Sequence, residues 1–244
     1  MATFIVGDIH GNATALGALL ASIEPELSAE DTLVFLGDYI DRGPESRGCV
    51  EQILRLRDRT QATVIGLLGN HEQWMLRTLR DFGRHSWLLG MGALETIRSY
   101  SEQAAIRIRD ATHRAGPRIV MEAMQLPYEE FFDAMPPSHR EFFEGLPPWH
   151  RTSDALCVHG GVSLDGTPIE DQDEDAVVWG PEEFPEQYHG GELVVYGHRG
   201  DTPLDADGRP QPRVRHNTIG LDSSGHGVLT AIRLPDQRVF QAGS

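Results

Sequence analysis

Three times in its first part, this chain runs from an apolar stretch into a glycine-flanked polar loop and then into a helical pattern. Thr3 to Val6 leads into Gly7-Asp8-Ile9-His10-Gly11-Asn12, and Ala13 to Ile23 then places Leu16, Leu19, Leu20 and Ile23 at helical spacing. Leu33 to Leu36 leads into Gly37-Asp38-Tyr39-Ile40-Asp41-Arg42-Gly43-Pro44, followed by a helical pattern over 45–59. Ala62 to Leu68 leads into Gly69-Asn70-His71-Glu72, with a helix expected from about Gln73. This repeat predicts βα units and a layered α/β fold. In such folds ligands collect at the carboxyl ends of the strands, so the three polar loops should share one edge.

From roughly residue 80 to 146 the pattern changes. Trp87, Leu88, Phe131, Phe132, Phe142 and Phe143 recur at helical spacing between proline breaks, which predicts a mainly helical insertion within a single domain spanning 1–244. Its aromatics read as packing residues. Two further apolar runs end in histidine: Ala155 to Val158 before His159-Gly160-Gly161, and Leu193 to Tyr196 before Gly197-His198-Arg199-Gly200. The acidic segment around Glu170 to Asp175 reads as a solvated loop without the spacing of a calcium-binding hand. Val228 to Leu234 and Arg238 to Gln241 flank Pro235-Asp236-Gln237 as a hairpin.

Composition narrows the function. The 244 residues carry a formal charge of -16, which opposes binding to a nucleic-acid backbone. It would oppose phosphate esters too, unless bound cations reverse the local sign. No apolar run is long enough to span a membrane. The first residues lack the basic and apolar regions of a secretory signal. Cys49 and Cys157 are the only cysteines, so a reduced, cytoplasmic setting is expected.

Five strand ends thus carry metal-capable groups: Asp8 with His10, Asp38 with Asp41, Asn70 with His71, His159, and His198. Carboxylate, imidazole and amide oxygen together suit manganese, iron or zinc better than calcium or magnesium. With no cysteine in the set, a closed structural zinc site is not expected.

These motifs, in this order, resemble those of the PPP phosphoprotein phosphatases among the calcineurin-like metallophosphoesterases. The likeness is greatest to the small bacterial and phage serine/threonine phosphatases and runs from residue 4 to about residue 200. It implies a two-sheet β-sandwich flanked by helices, with two divalent metal ions, manganese by expectation, at one edge. It implies that Asp8 and His10 hold the first metal, that Asp38 bridges both, and that Asn70, His159 and His198 complete the second. His71 would be the general acid, oriented by Asp41, and Arg42 would bind phosphoryl oxygens. Glu72 is expected to support the site or the helix start. One departure stands out. The family's second phosphate-binding arginine has no counterpart in Val178-Trp179-Gly180-Pro181-Glu182-Glu183, which leaves Arg199 as the candidate.

The resemblance implies a serine/threonine protein phosphatase acting on a phosphorylated protein or a small phosphate-containing substrate. A dinucleoside polyphosphate hydrolase on the same metals is the alternative. A metal-binding regulatory protein without activity is the third reading.

Overall fold

The computed structural model describes residues 1–243. The N-terminal half alternates strand and helix: β1 (Thr3–Val6), α1 (Ala13–Ile23), β2 (Thr32–Phe35), α2 (Ser46–Arg59), β3 (Thr63–Gly66) and α3 (Asn70–Arg80). Six helices follow: α4 (Ser86–Gly90), α5 (Ala93–Tyr100), α6 (Glu102–Ala115), α7 (Arg118–Met121), α8 (Glu129–Ala134) and α9 (Pro137–Glu144). The C-terminal half holds β4 (Trp149–Arg151), β5 (Leu156–Val158), α10 (Glu174–Trp179), β6 (Val194–Tyr196), β7 (Arg213–Arg215), β8 (Thr218–Gly220), β9 (Val228–Leu234) and β10 (Arg238–Gly243).

The strands form two five-stranded sheets, in the orders β10-β9-β1-β2-β3 and β4-β5-β6-β8-β7. β1, β2 and β3 run parallel in the first, as do β5, β6 and β8 in the second. β3 forms one edge of the first sheet, and antiparallel strands form the other three edges, the β9–β10 hairpin among them.

Side chains on a strand alternate between faces, and the central strands β1, β2, β5, β6 and β8 are covered on both and buried at every position. Ile5, Val34, Leu36 and Leu67 pack between the sheets against Cys157, Val195, Ile219 and Leu221. Phe4, Val6, Leu33 and Phe35 point the other way, into the helices. The two-sheet sandwich flanked by helices is therefore present. Its parallel strands all deliver their following loops to one edge.

Two boundaries differ from the sequence reading. α3 starts at Asn70, not near Gln73, because Gly69 caps it and the Gln73 N–H already donates to the Gly69 carbonyl at 3.0 Å. Asn70 and His71 thus sit in the first helical turn. The acidic segment is not one solvated loop. Glu174 and Asp175 open α10, whose Val177 and Val178 are buried, and acidic residues suit a helix start. Among the described residues, no helix is long and apolar enough to cross a membrane.

Candidate metal centre

Each functional side chain follows a parallel strand by one to a few residues. Asp8 and His10 follow β1, Asp38 and Asp41 follow β2, and Asn70 and His71 open α3 after β3. His159 follows β5 and His198 follows β6. The backbone is contorted at these points. His10, Asp38, Asp41, Arg42 and His198 all have positive φ, at 47°, 53°, 69°, 65° and 67°. Such conformations cost on the order of 1 kcal/mol or more each, and persist only where the surroundings hold them. Here the loops hold one another. The N–H groups of Ile9 and His10 both donate to the Asp38 carbonyl, and Gly43 N–H donates to the His10 carbonyl. Glu72, fully buried, accepts the N–H groups of Asp38, Tyr39 and Ile40 at 2.9, 2.9 and 3.2 Å. Two glycines are required by closeness. A Cβ at Gly197 would lie 2.1 Å from Asp8 Oδ1, and one at Gly37, already at φ +112°, would lie 2.7 Å from the Gly69 backbone.

Asp38 is the centre. Its Oδ2 is 3.4 Å from His10 Nε2, and its Oδ1 is 3.3 Å from His159 Nε2. Two groups able to hold a metal therefore share it: His10, Asp38 and His71, and Asp38, His159 and His198. Asp8 lies behind them, with Oδ2 3.8 Å from His10 Nε2 and both oxygens accepting the His198 backbone N–H at 3.1 Å. Asn70 Oδ1 faces His159 Nε2 at 2.9 Å and His198 Nδ1 at 3.1 Å.

The donor set fits a cation on physical grounds. His10 Nδ1 lies 3.1 Å from the Ile40 carbonyl and His159 Nδ1 lies 2.9 Å from the Leu36 carbonyl. A carbonyl only accepts, so each Nδ1 carries hydrogen, and each ring in its neutral form presents its Nε2 lone pair inward. His10 Nε2 is buried with no hydrogen-bond partner among the described residues. It faces carboxylates that can only accept. The amide oxygen of Asn70 likewise meets ring nitrogens rather than donors; turned over, its nitrogen would donate to them and to Asp38. Lone pairs converging from imidazole, carboxylate and amide suit divalent ions of the manganese, iron or zinc kind.

Without metal, the ligand groups differ in charge. Burial lowers His10 and His198 to about 4, so both rings are neutral at physiological pH. Burial also opposes charge on His159, but the Asp38 carboxylate outweighs it and raises His159 to about 10. Asp38 moves the other way: burial would raise it, yet His159 and His71 hold it well below the usual carboxylate range. Burial and the Asp222 carboxylate push Asp8 well up.

A prediction follows for the metal-free chain. His159 keeps in the folded state a proton that the unfolded chain releases near 6.5, so its contribution to stability is complete below that pH. It is lost as pH rises toward about 10. Melting temperature should therefore fall between pH 6.5 and about 10 without metal. It should stay level with metal bound, because a ligand imidazole holds no such proton. Scanning fluorimetry with and without a chelator measures both curves.

Beside the centre, His71 Nδ1 lies 2.8 Å from Asp41 Oδ2, and His71 Nε2 lies 3.4 Å from Arg42 Nη2 and 3.7 Å from Asp38 Oδ2. Burial would lower His71, but Asp38 and Asp41 outweigh it and raise its pKa, which favours the protonated ring. Arg42 is solvent-exposed at the mouth, next to a groove of about 390 Å³ lined by His10, Asn12, Thr14, Pro44 and Glu45. Arg199 is placed differently. Its Nη2 donates to the Pro181 carbonyl at 2.5 Å and its guanidinium lies over the Phe184 ring at 5.7 Å. It braces the 181–184 loop.

The sequence reading missed four participants. Asp222 follows β8 as the other site residues follow their strands, and Gly220-Leu221-Asp222 carried the same glycine signal. Trp87 and Thr96, from the helical segment, reach Asp41. Gln73 ties α3 to α10, donating to Glu174 and Asp175 and accepting from Trp179, whose ring stands edge-on to His198 at 5.6 Å.

Comparison with known proteins places this geometry. An asymmetrical bis(5'-nucleosyl)-tetraphosphatase from Geobacillus sp. strain WCH70 is 28% identical over 95% of this chain and 90% of its own. A symmetrical enzyme of that name from Pectobacterium atrosepticum is 39% identical over 35% of this chain; the match spans 28% of that protein's length. Serine/threonine-protein phosphatase 1 of Salmonella typhimurium is 36% identical over 36% of this chain and 38% of its own. A crystal structure put forward as a diadenosine tetraphosphatase superposes with a TM-score of 0.64 at 22% identity, covering 100% of this chain and 93% of that one, and supports the fold alone. The calcineurin-like phosphoesterase family matches residues 1–218, which take in every strand that feeds the centre up to β8, and this chain belongs to that family.

Proposed function

We propose that this protein hydrolyses phosphoric monoesters at a pair of divalent metal ions, with phosphoserine and phosphothreonine in proteins as the substrate class. The observation that carries the reading is the division of Asp38, one oxygen toward His10 and the other toward His159. Asp8, His10 and Asp38 would hold one ion, and Asp38, Asn70, His159 and His198 the other. Manganese is the expected metal, and the donor set equally suits iron or zinc. When bound, the ions lower the pKa of water toward neutrality and offset phosphate charge.

The chain's own residues supply the rest. Arg42 offers a planar fork of donors to two phosphoryl oxygens. That contact offsets part of the repulsion from a chain of net charge -16. His71, whose protonated form its carboxylate neighbours favour, gives its Nε2 proton to the departing oxygen. Asp41 holds the tautomer by accepting from Nδ1. A serine or threonine alkoxide is a strong base and needs that proton, so a buried acid dyad favours an alkyl ester as substrate.

Hydrolysis of a dinucleoside polyphosphate is the second reading. It is supported by the Geobacillus relative, which matches over nearly its whole length and carries that name. A nucleotide leaves as a weak base and makes little use of a proton donor. Manganese-reconstituted protein incubated with a phosphothreonine peptide should release inorganic phosphate, and diadenosine tetraphosphate should stay intact by chromatography. Rapid cleavage of the dinucleotide with an untouched peptide would replace the first reading by the second.

A further inference from the structure

Asp41 is reached from outside the sandwich. Its Oδ2, the oxygen that faces His71, also accepts from Trp87 Nε1 at 2.8 Å. Its Oδ1 accepts from Thr96 Oγ1 at 2.5 Å, and that same hydroxyl accepts the Asp41 backbone N–H at 2.8 Å. Ser46 Oγ lies 3.2 Å from that N–H and 3.0 Å from Thr96 Oγ1. Trp87, Thr96 and Asp41 are all fully buried. Trp87 sits on α4 and Thr96 on α5, so two helices of the 86–144 segment end their polar groups on one carboxylate.

We propose that Trp87 and Thr96 are positioning residues for proton transfer, fixing the Asp41 carboxylate so that His71 Nε2 stays aimed at the departing oxygen. The proposal rests on the reading of His71 as the general acid. Asp41 stands at φ 69°, a conformation that needs outside support, and a buried carboxylate needs donors on both oxygens. The indole is suited to Oδ2, because it donates one N–H and accepts nothing, so it cannot draw the proton of His71. The threonine hydroxyl is fixed at both ends, which sets the carboxylate's rotation. With either group gone, the carboxylate gains freedom about its last torsion and the ring follows. The two-helix support also makes α4 and α5 part of the catalytic geometry rather than a cover packed over it.

The test separates positioning from stability by leaving group. An alkyl phosphate needs the proton, whereas p-nitrophenyl phosphate releases a weak base that leaves without one. In the manganese-loaded full chain, Trp87→Phe and Thr96→Val should each lower kcat on a phosphothreonine peptide by about tenfold or more. The loss on p-nitrophenyl phosphate should be several-fold smaller, with KM and metal content held. Thr96→Ser, which keeps the hydroxyl, should restore the wild-type ratio of the two rates. The two variants act through different helices, so poor folding of one leaves the other as the measurement. A second readout needs no turnover. In the metal-free chain, the His71 Nδ1–H proton resonance, identified by its loss in His71→Asn, should move upfield and exchange faster in Trp87→Phe. Equal losses on both substrates, or no loss, would overturn the proposal while His71→Asn still discriminates between them. If His71→Asn itself shows no leaving-group dependence, the general-acid reading fails and takes the proposal with it.

Discussion

Asp38→Asn is expected to strip both halves of the centre and lower kcat/KM by about a thousandfold or more, equivalent to about 4 kcal/mol of transition-state stabilisation. The substitution isolates charge from shape. Asparagine has nearly the volume of aspartate and tolerates the positive φ of 53° that this turn imposes. It also keeps one oxygen. It cannot keep two equivalent anionic oxygens, and here they point to different partners, Oδ2 to His10 and Oδ1 to His159. Metal analysis should find less than one ion per chain where the wild type binds two. The same change removes the carboxylate that holds His159 protonated without metal, so the alkaline loss of stability should weaken in the variant. Full metal content with near wild-type turnover would show that Asp38 bridges nothing.

The strand ends were legible because three local signals coincide there. Each has an apolar run that needs both faces buried, a glycine that allows a tight approach, and a polar residue that no core would accept. Asp8, Asp38, Asn70, His159 and His198 all meet that description, and the sheets bring them to one edge. Asp222 follows β8, whose Thr218-Ile219-Gly220 holds one large apolar residue, so no clear apolar run marked that strand end. The start of α3 was placed late because Gly69 and Asn70 look like loop residues, while Glu72 was expected at the site or the helix start. What it supports lies more than thirty positions away, the three N–H groups of the Asp38 turn. Nothing local could reveal Trp87 or Thr96. Their partner lies 46 and 55 positions away, and an indole packed among aromatics carries no mark of where its one polar hydrogen goes. Arg199 shows the converse: standing next to His198 in sequence, it sends its guanidinium over Phe184 instead.

His71→Asn is expected to lower kcat on a phosphothreonine peptide by about 10²- to 10⁴-fold, the range for loss of a positioned proton donor. Metal content should be unchanged, because the proposed ligands Asp8, His10, Asp38, Asn70, His159 and His198 all keep their donors, His71 being paired with Asp41, and the new side chain still fits the first turn of α3. The loss on p-nitrophenyl phosphate should be far smaller, since that leaving group departs without a proton. The pH dependence gives an independent check. His71 works in its protonated form, and Asp38 and Asp41 raise its pKa above the usual histidine value. Wild-type turnover of the peptide should therefore fall as pH rises through that raised value. The variant has no such group to lose and should lack that falling limb. A wild-type profile in which turnover of the peptide rises with pH over the same interval would assign His71 the role of base. The proton would then have to reach the leaving oxygen from solvent, and the buried Asp41–His71 pair would lose its purpose as a donor.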